Sequence, residues 1–364
     1  MVKLFCPSNI ARAYLSVGAV CALLTPLPYF SGYFMPDVFV ALVPICIFLM
    51  CFSKRSLSMM QMIFCWLTLT AAIAFHSSHL LLTFVLLLLL LIMSAWPALR
   101  PTFSGWLTSF SALVVGISAI FAFAFVSHAV FGSGPQNPPF LTALGIEDGP
   151  VAELIANDCD GRDFAICEAS SISDPDSQFF LWHPDGFYRS ASAETKQKLS
   201  NEDFEVFLAA VREYPTMQLS ASFKNFTTQL GLFGLYEFGT AKRVFAESAS
   251  SYMDDTNLEQ YGRSLAVLDL FPFAALSIIA YVTGTVSLLT VIYIFKFRNV
   301  SNAALALSVI ILSALVLNAV VCGVLSDPHH RYQARIIWLL PFLASLLVLH
   351  KPQQSQQESA KQKV

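Results

Sequence analysis

Charge is what this chain has least of. Only 12% of its 364 residues are Asp, Glu, Lys or Arg, while 56% are hydrophobic and the mean hydropathy is +0.63. A soluble globule of this size carries about twice that share of charge. The composition therefore excludes one and points to an integral membrane protein. Acidic residues are the scarcest of all at the start, where Asp37 is the only one before Glu147. The chain has no P-loop, no GxGxxG after a strand, no GxSxG elbow and no HExxH, which excludes the enzyme classes those motifs mark. No A-x-A site follows the first apolar run, from Tyr14 into Pro26 and Pro28, so that run is expected to stay as an anchor. Charges within the apolar runs are nearly absent too, which counts against an ion-coupled transporter.

What charge there is alternates. Lys3 and Arg12, Lys54 and Arg55, Arg100, Lys296 and Arg298, and Lys351, Lys361 and Lys363 mark one kind of connection between apolar runs. Asp37, His76 and His79, a long polar segment, and Asp327, His329, His330 and Arg331 mark the other. The positive-inside rule assigns the first kind to the cytoplasm, so both termini are expected inside. A crossing needs about 20 apolar residues, and somewhat fewer where the helix tilts little. Eight crossings are predicted, near Tyr14–Phe30, Val38–Phe52, Met59–Phe75, Leu80–Trp96, Trp106–Phe131, Leu268–Phe295, Ala303–Leu325 and Ile336–His350. The first pair is read as a hairpin turning at Ser31–Asp37, because one long helix would enclose Asp37, Pro26, Pro28 and Pro36. LLLTFVLLLLLLIM reads as a lipid-facing helix. Tyr29, Phe30, Tyr33, Phe34, Tyr332 and Trp338 read as an interfacial belt.

The expected fold class is thus an all-α polytopic membrane protein of about eight transmembrane helices. Residues 1–131 form a five-span bundle, 132–264 an acidic extracytoplasmic domain that is mainly helical, 265–350 a three-span bundle and 351–364 a disordered cytoplasmic tail. The segment 132–264 holds twenty carboxylates against nine Lys and Arg, which excludes a nucleic-acid surface. Outside the cytoplasm Cys159 and Cys167 are free to form a disulfide. Asp148-Gly149-Pro150 reads as the start of a helix through VAELIAND. Ser200 and Asp203 resemble a capping box opening a helix that Pro215 ends or breaks. Met217, Leu219, Phe223, Phe226, Leu230 and Phe233 then mark an amphipathic helix, its apolar face against either the domain or the membrane surface. FFLWHPDGF is too apolar for a free loop and is expected to be buried. The NFT sequon at Asn225 falls within a helix, which argues against glycosylation.

Candidate chemistry collects at the predicted outer boundary. In DPHHRYQARIIWLLP, a helix beginning near Asp327 would put Asp327, Arg331 and Arg335 on one face, with Trp338 close by. Two arginines one turn apart suit a lipid phosphate or diphosphate, and the alternative is an Asp–Arg ion pair tying down the last helix. Asp37 is either a general base for an acceptor hydroxyl or a cap on the second span. His76 and His79 in HSSH give only a weak signal for a divalent cation, so no metal or cofactor is expected. HRYQARIIWLLPFLA resembles the closing segment of bacterial polyprenyl-phosphate-dependent glycosyltransferases of the C-type membrane fold. The chain from LTPLPYFSGYFMPDVF to GVLSDPHHRYQAR also resembles a group of bacterial polytopic inner-membrane proteins. The first resemblance implies transfer of a sugar from a polyprenyl-phosphate donor at the outer leaflet, for cell-envelope glycan or glycolipid modification. Arg331, Arg335, His330 and Tyr332 would bind the lipid phosphate, Asp37 would be the base, and His76, His79, Asp327 and Trp338 would line the site. Those enzymes carry a catalytic acid on a long first outer loop, whereas here that loop is short and Asp37 is its only acid. The competing class is a non-catalytic envelope protein whose extracytoplasmic domain binds an envelope partner.

Overall fold

The computed structural model describes residues 1–350 except 8, 33–34, 133, 170–173, 241–244 and 246–248. Tyr33 and Phe34 of the expected aromatic belt, and the 351–364 tail, lie outside the described residues. Among the described residues every regular element is a helix. The apolar runs give α1 (Ile10–Leu24), α2 (Phe39–Phe52), α3 (Met59–Phe75), α4 (Ser77–Met93) and α5 (Phe103–Phe131). The polar segment contributes α6 (Phe140–Asp148), α7 (Pro150–Asn157), α8 (Ser177–Trp182), α9 (Ala193–Glu213), α10 (Pro215–Gly231) and α11 (Asp255–Gly262). The chain closes with α12 (Phe273–Phe297), α13 (Asn302–Val324), α14 (His330–Ile337) and α15 (Leu339–Leu349). Four stretches, Phe103–Phe131, Phe273–Phe297, Asn302–Val324 and His330–Leu349, are long and apolar enough to cross a membrane. They mark the chain as a membrane protein. Four further apolar helices, Ile10–Leu24, Pro36–Phe52, Met59–Phe75 and Ser77–Met93, are shorter than that length.

The first run ends earlier than its composition suggests. Thr25 is extended and Pro26 cannot donate a backbone bond, so α1 stops at Leu24 and Leu27–Gly32 is a separate short helix. Trp338 divides α14 from α15 in the same way, because Pro341 lacks an N–H and its ring crowds the carbonyl of Ile337. Ser58 and Gln61 form a reciprocal capping box at the start of α3.

The described residues form two compact units. The first comprises Met1–Ser118, Gly231–Asn318 and the described residues from His330 onward. Val40, Ile47, Phe48, Leu69, Ile73, Leu86, Leu307, Ile311, Leu339 and Leu343 form its apolar centre. The Leu-rich helix α4 is not wholly lipid-facing. Leu82, Leu86, Leu87 and Leu90 are buried in this core on one stripe, while Phe84, Leu88, Leu91 and Ile92 are exposed on another. Gly105 lets α5 approach α2 closely, since a Cβ there would lie 2.1 Å from the Met50 carbonyl oxygen.

The second unit comprises Ala119–Leu230 and Ala319–His329. Its core joins Ala143, Ile146, Val151, Leu154, Ile166, Phe180, Leu181, Leu199, Val206 and Ala210. Phe180 and Leu181 anchor the apolar FFLW stretch as α8, with Trp182 left exposed. Cys159 and Cys167 are disulfide-bonded. Pro150 opens α7 behind Gly149, whose φ of +105° a side chain would resist. Ser200 does not cap a helix. The helix begins a full two turns earlier with Ser192 as its cap, and Asp203 reaches across to α6 instead. There its carboxylate accepts from the Thr142 and Leu141 amides at 2.7 and 3.2 Å, capping a neighbouring helix rather than its own. Pro215 both ends α9 and opens α10 as its first residue.

Candidate functional site

Three elements of the first unit meet at one polar cluster. Asp37 sits in the short 3₁₀ turn Pro36–Val38 before α2, Ser78 in the first turn of α4, and Arg335 in α14. The Arg335 guanidinium donates to Asp37 Oδ1 at 2.5 Å and to Ser78 Oγ at 3.1 Å. Arg335 is wholly buried and the Asp37 side chain nearly so. Asp37 therefore does not cap α2, whose first turn receives no side-chain bond from it. An unpaired charge so deep in an apolar bundle is expensive, so the pair is retained or lost together.

Arg331 lies one turn before Arg335, and both guanidiniums approach the Tyr332 ring, at 5.0 and 5.2 Å. Arg331 is the more open of the two, its side chain 39% exposed. It stands 3.9 Å from the Glu237 carboxylate and donates to the Tyr332 hydroxyl at 3.3 Å. His330 Nδ1 accepts from the Gly234 amide at 3.0 Å, so its proton is on Nε2 when the ring is neutral. Tyr236 packs edge-on against that ring. Trp338 is buried in the apolar core of the same unit, its ring edge-on to Phe342.

The two histidines of HSSH stack with their centroids 4.9 Å apart. His79 Nδ1 donates to the Ala72 carbonyl at 2.9 Å, which leaves Nε2 as a lone-pair acceptor. His76 occupies the connection between α3 and α4 and accepts from the Ser78 amide at 3.2 Å. Its pKa is pushed down to about 4, first by burial and then by the Arg335 charge, so near neutral pH it is uncharged. No group of three metal-ligating side chains occurs among the described residues.

Asp327 departs from the expected geometry. α14 begins at His330, so Asp327 precedes the helix and does not share its face with Arg331 and Arg335. It belongs to the second unit, where its carboxylate lies 3.3 Å from His329 Nε2. Burial and the neighbouring Glu147 carboxylate push its pKa up to about 6. The structure thus brings Asp37, His76, His79, His330, Arg331, Tyr332 and Arg335 into one unit. Ser78 and Glu237, the partners of the two arginines, carried no local signal in the sequence. Compared with known proteins, the chain matches no family model, no curated protein and no solved structure.

Proposed function

We propose that the chain is a bacterial inner-membrane protein of about eight spans, with both termini cytoplasmic and residues 132–264 in the periplasm. The alternating basic connections support that orientation. We propose further that it transfers a sugar from a polyprenyl-phosphate donor at the outer leaflet. The observation that carries this reading is the meeting of Asp37, Ser78 and Arg335, from three elements far apart in sequence. Arg331 would hold the lipid phosphate, and Arg335 would fix the position of Asp37. The acceptor hydroxyl oxygen would bond to the anomeric carbon as the bond from that carbon to the phosphate oxygen breaks. The hydroxyl proton would pass to Asp37, and the charge on the departing polyprenyl phosphate would be met by Arg331.

One observation favours the competing, non-catalytic reading. Asp37 already offsets Arg335 and Glu237 stands by Arg331, so the cluster is charge-balanced before any ligand arrives. In that reading the cluster ties helices together, and the periplasmic domain binds an envelope component. Mass spectrometry of envelope glycans separates the two. A deletion strain and an Arg331→Ala strain lacking the same glycan would support transfer, and glycans identical to the parent in both would refute it.

A further inference from the structure

Helix α10 has three faces. Gln218, Asn225 and Gln229 are buried along one stripe. Gln218 and Asn225 donate to the two oxygens of Asp148 at 3.4 and 2.8 Å, and Gln229 exchanges two 2.9 Å bonds with the His329 backbone. At about 3.6 residues per turn, Leu219, Phe223, Phe226 and Leu230 form a second stripe beside the first. Leu219 is 72% exposed and Phe223 67%. The third stripe, Ser220, Lys224, Thr227 and Thr228, is exposed and polar. A helix on a water-soluble domain buries its apolar stripe and exposes its amides, whereas α10 buries its amides and leaves Leu219 and Phe223 exposed and Phe226 and Leu230 half-buried.

Two further observations point to what covers the apolar stripe. A Cβ on Gly323 would come within 2.8 Å of the Asn225 carbonyl oxygen, so the polar stripe rests on the last turn of α13. That helix is long and apolar enough to cross a membrane, which puts α10 at the level where such a helix ends. The charge pattern agrees. Twenty carboxylates stud residues 147–259, yet none falls between Glu213 and Glu237, and the single charge on α10 is the exposed Lys224. A surface bearing anionic headgroups repels carboxylates and attracts lysine.

We infer that α10 lies in the plane of the bilayer boundary, with Leu219, Phe223, Phe226 and Leu230 among the acyl chains and Ser220, Lys224, Thr227 and Thr228 in water. The occupant of the apolar stripe is the membrane that holds the chain's own spans. This inference stands apart from sugar transfer. The test is photolabelling of the full chain in phosphatidylcholine–phosphatidylglycerol vesicles with a lipid-soluble aryl diazirine, read by peptide mass spectrometry. Label is expected at 219, 223, 226 and 230, as at the exposed Phe121 and Phe125 of α5, with 194–202 at background. Absence of label from 215–230 while α5 is labelled would overturn the inference. So would label spread onto 220, 224, 227 and 228, which would mean that the whole helix is immersed.

Discussion

Removing one partner of the Asp37–Arg335 pair should damage the protein more than removing both. Asp37→Asn removes the carboxylate that faces the guanidinium at 2.5 Å, and Arg335 is 0% exposed, so water cannot replace the lost carboxylate. Breaking a buried pair on one side costs about 3–5 kcal/mol, whereas replacing both partners with neutral groups of similar size is often close to neutral. At about 1.4 kcal/mol per decade, the single change shifts the folding equilibrium by roughly two to three and a half decades. Arg335→Met should cost a comparable amount, because it takes the guanidinium from the buried Asp37 carboxylate and a charged donor from Ser78 Oγ. The double variant should then be more stable than either single one, with a coupling energy of about 3 kcal/mol. The assay is reversible denaturant unfolding of the four proteins in the same lipid–detergent micelles. Single losses below about 1 kcal/mol that simply add in the double variant would refute the argument, because they would mean that the charges are solvated.

Other outcomes follow from other parts of the fold. Gly105→Ala should lower stability by about 1–3 kcal/mol, because the new methyl would meet the Met50 carbonyl and the Cys51 Cα, both backbone, and cannot be accommodated by a rotamer change. Cys159→Ser should cost the second unit about 2.5 kcal/mol, the loop-closure entropy of a bridge with a sequence separation of 8, read as a lower melting temperature than the oxidised parent. Asp327 binds its proton more tightly folded than unfolded, since its pKa rises from 3.8 to about 6. Stability should therefore fall as pH rises from about 4 to 6, and Asp327→Asn should flatten that slope and be the more stable protein at pH 7. Unfolding curves across that window check both the sign and the position.

The apolar runs were legible because a helix in hydrocarbon must be continuous and apolar, and helix formed in each of them, though the first is broken at Thr25 and the last at Trp338. Cys159 and Cys167 were legible as the only pair outside the apolar runs. The face of α4 was not. Thirteen of its seventeen residues are Leu, Ile, Val, Phe or Met in SSHLLLTFVLLLLLLIM, so hydropathy has no period there, and only packing decides that Leu86 is inside and Leu88 outside. The break at Thr25 needed attention to Pro26 rather than to hydropathy. Ser200 and Asp203 had the spacing of a capping box but lay mid-helix, because the polar turns before them, from Ser192 on, are equally good helix formers. The ion pair was half legible. An Asp–Arg pair tying the last helix was foreseeable from charge in an apolar bundle, but its acid is Asp37 rather than Asp327. A partner 298 residues away leaves no trace in local spacing.

The claim on which the functional reading turns is that Arg331 engages a lipid phosphate. Thermal unfolding of the purified protein with and without a polyprenyl phosphate measures that most directly. At about 100 times its dissociation constant, a ligand bound only by the folded state adds roughly 2.7 kcal/mol. The parent protein should melt measurably higher with the lipid, and Arg331→Ala should show no such rise while melting normally without it. Equal protection of both proteins, or of neither, would contradict the assignment.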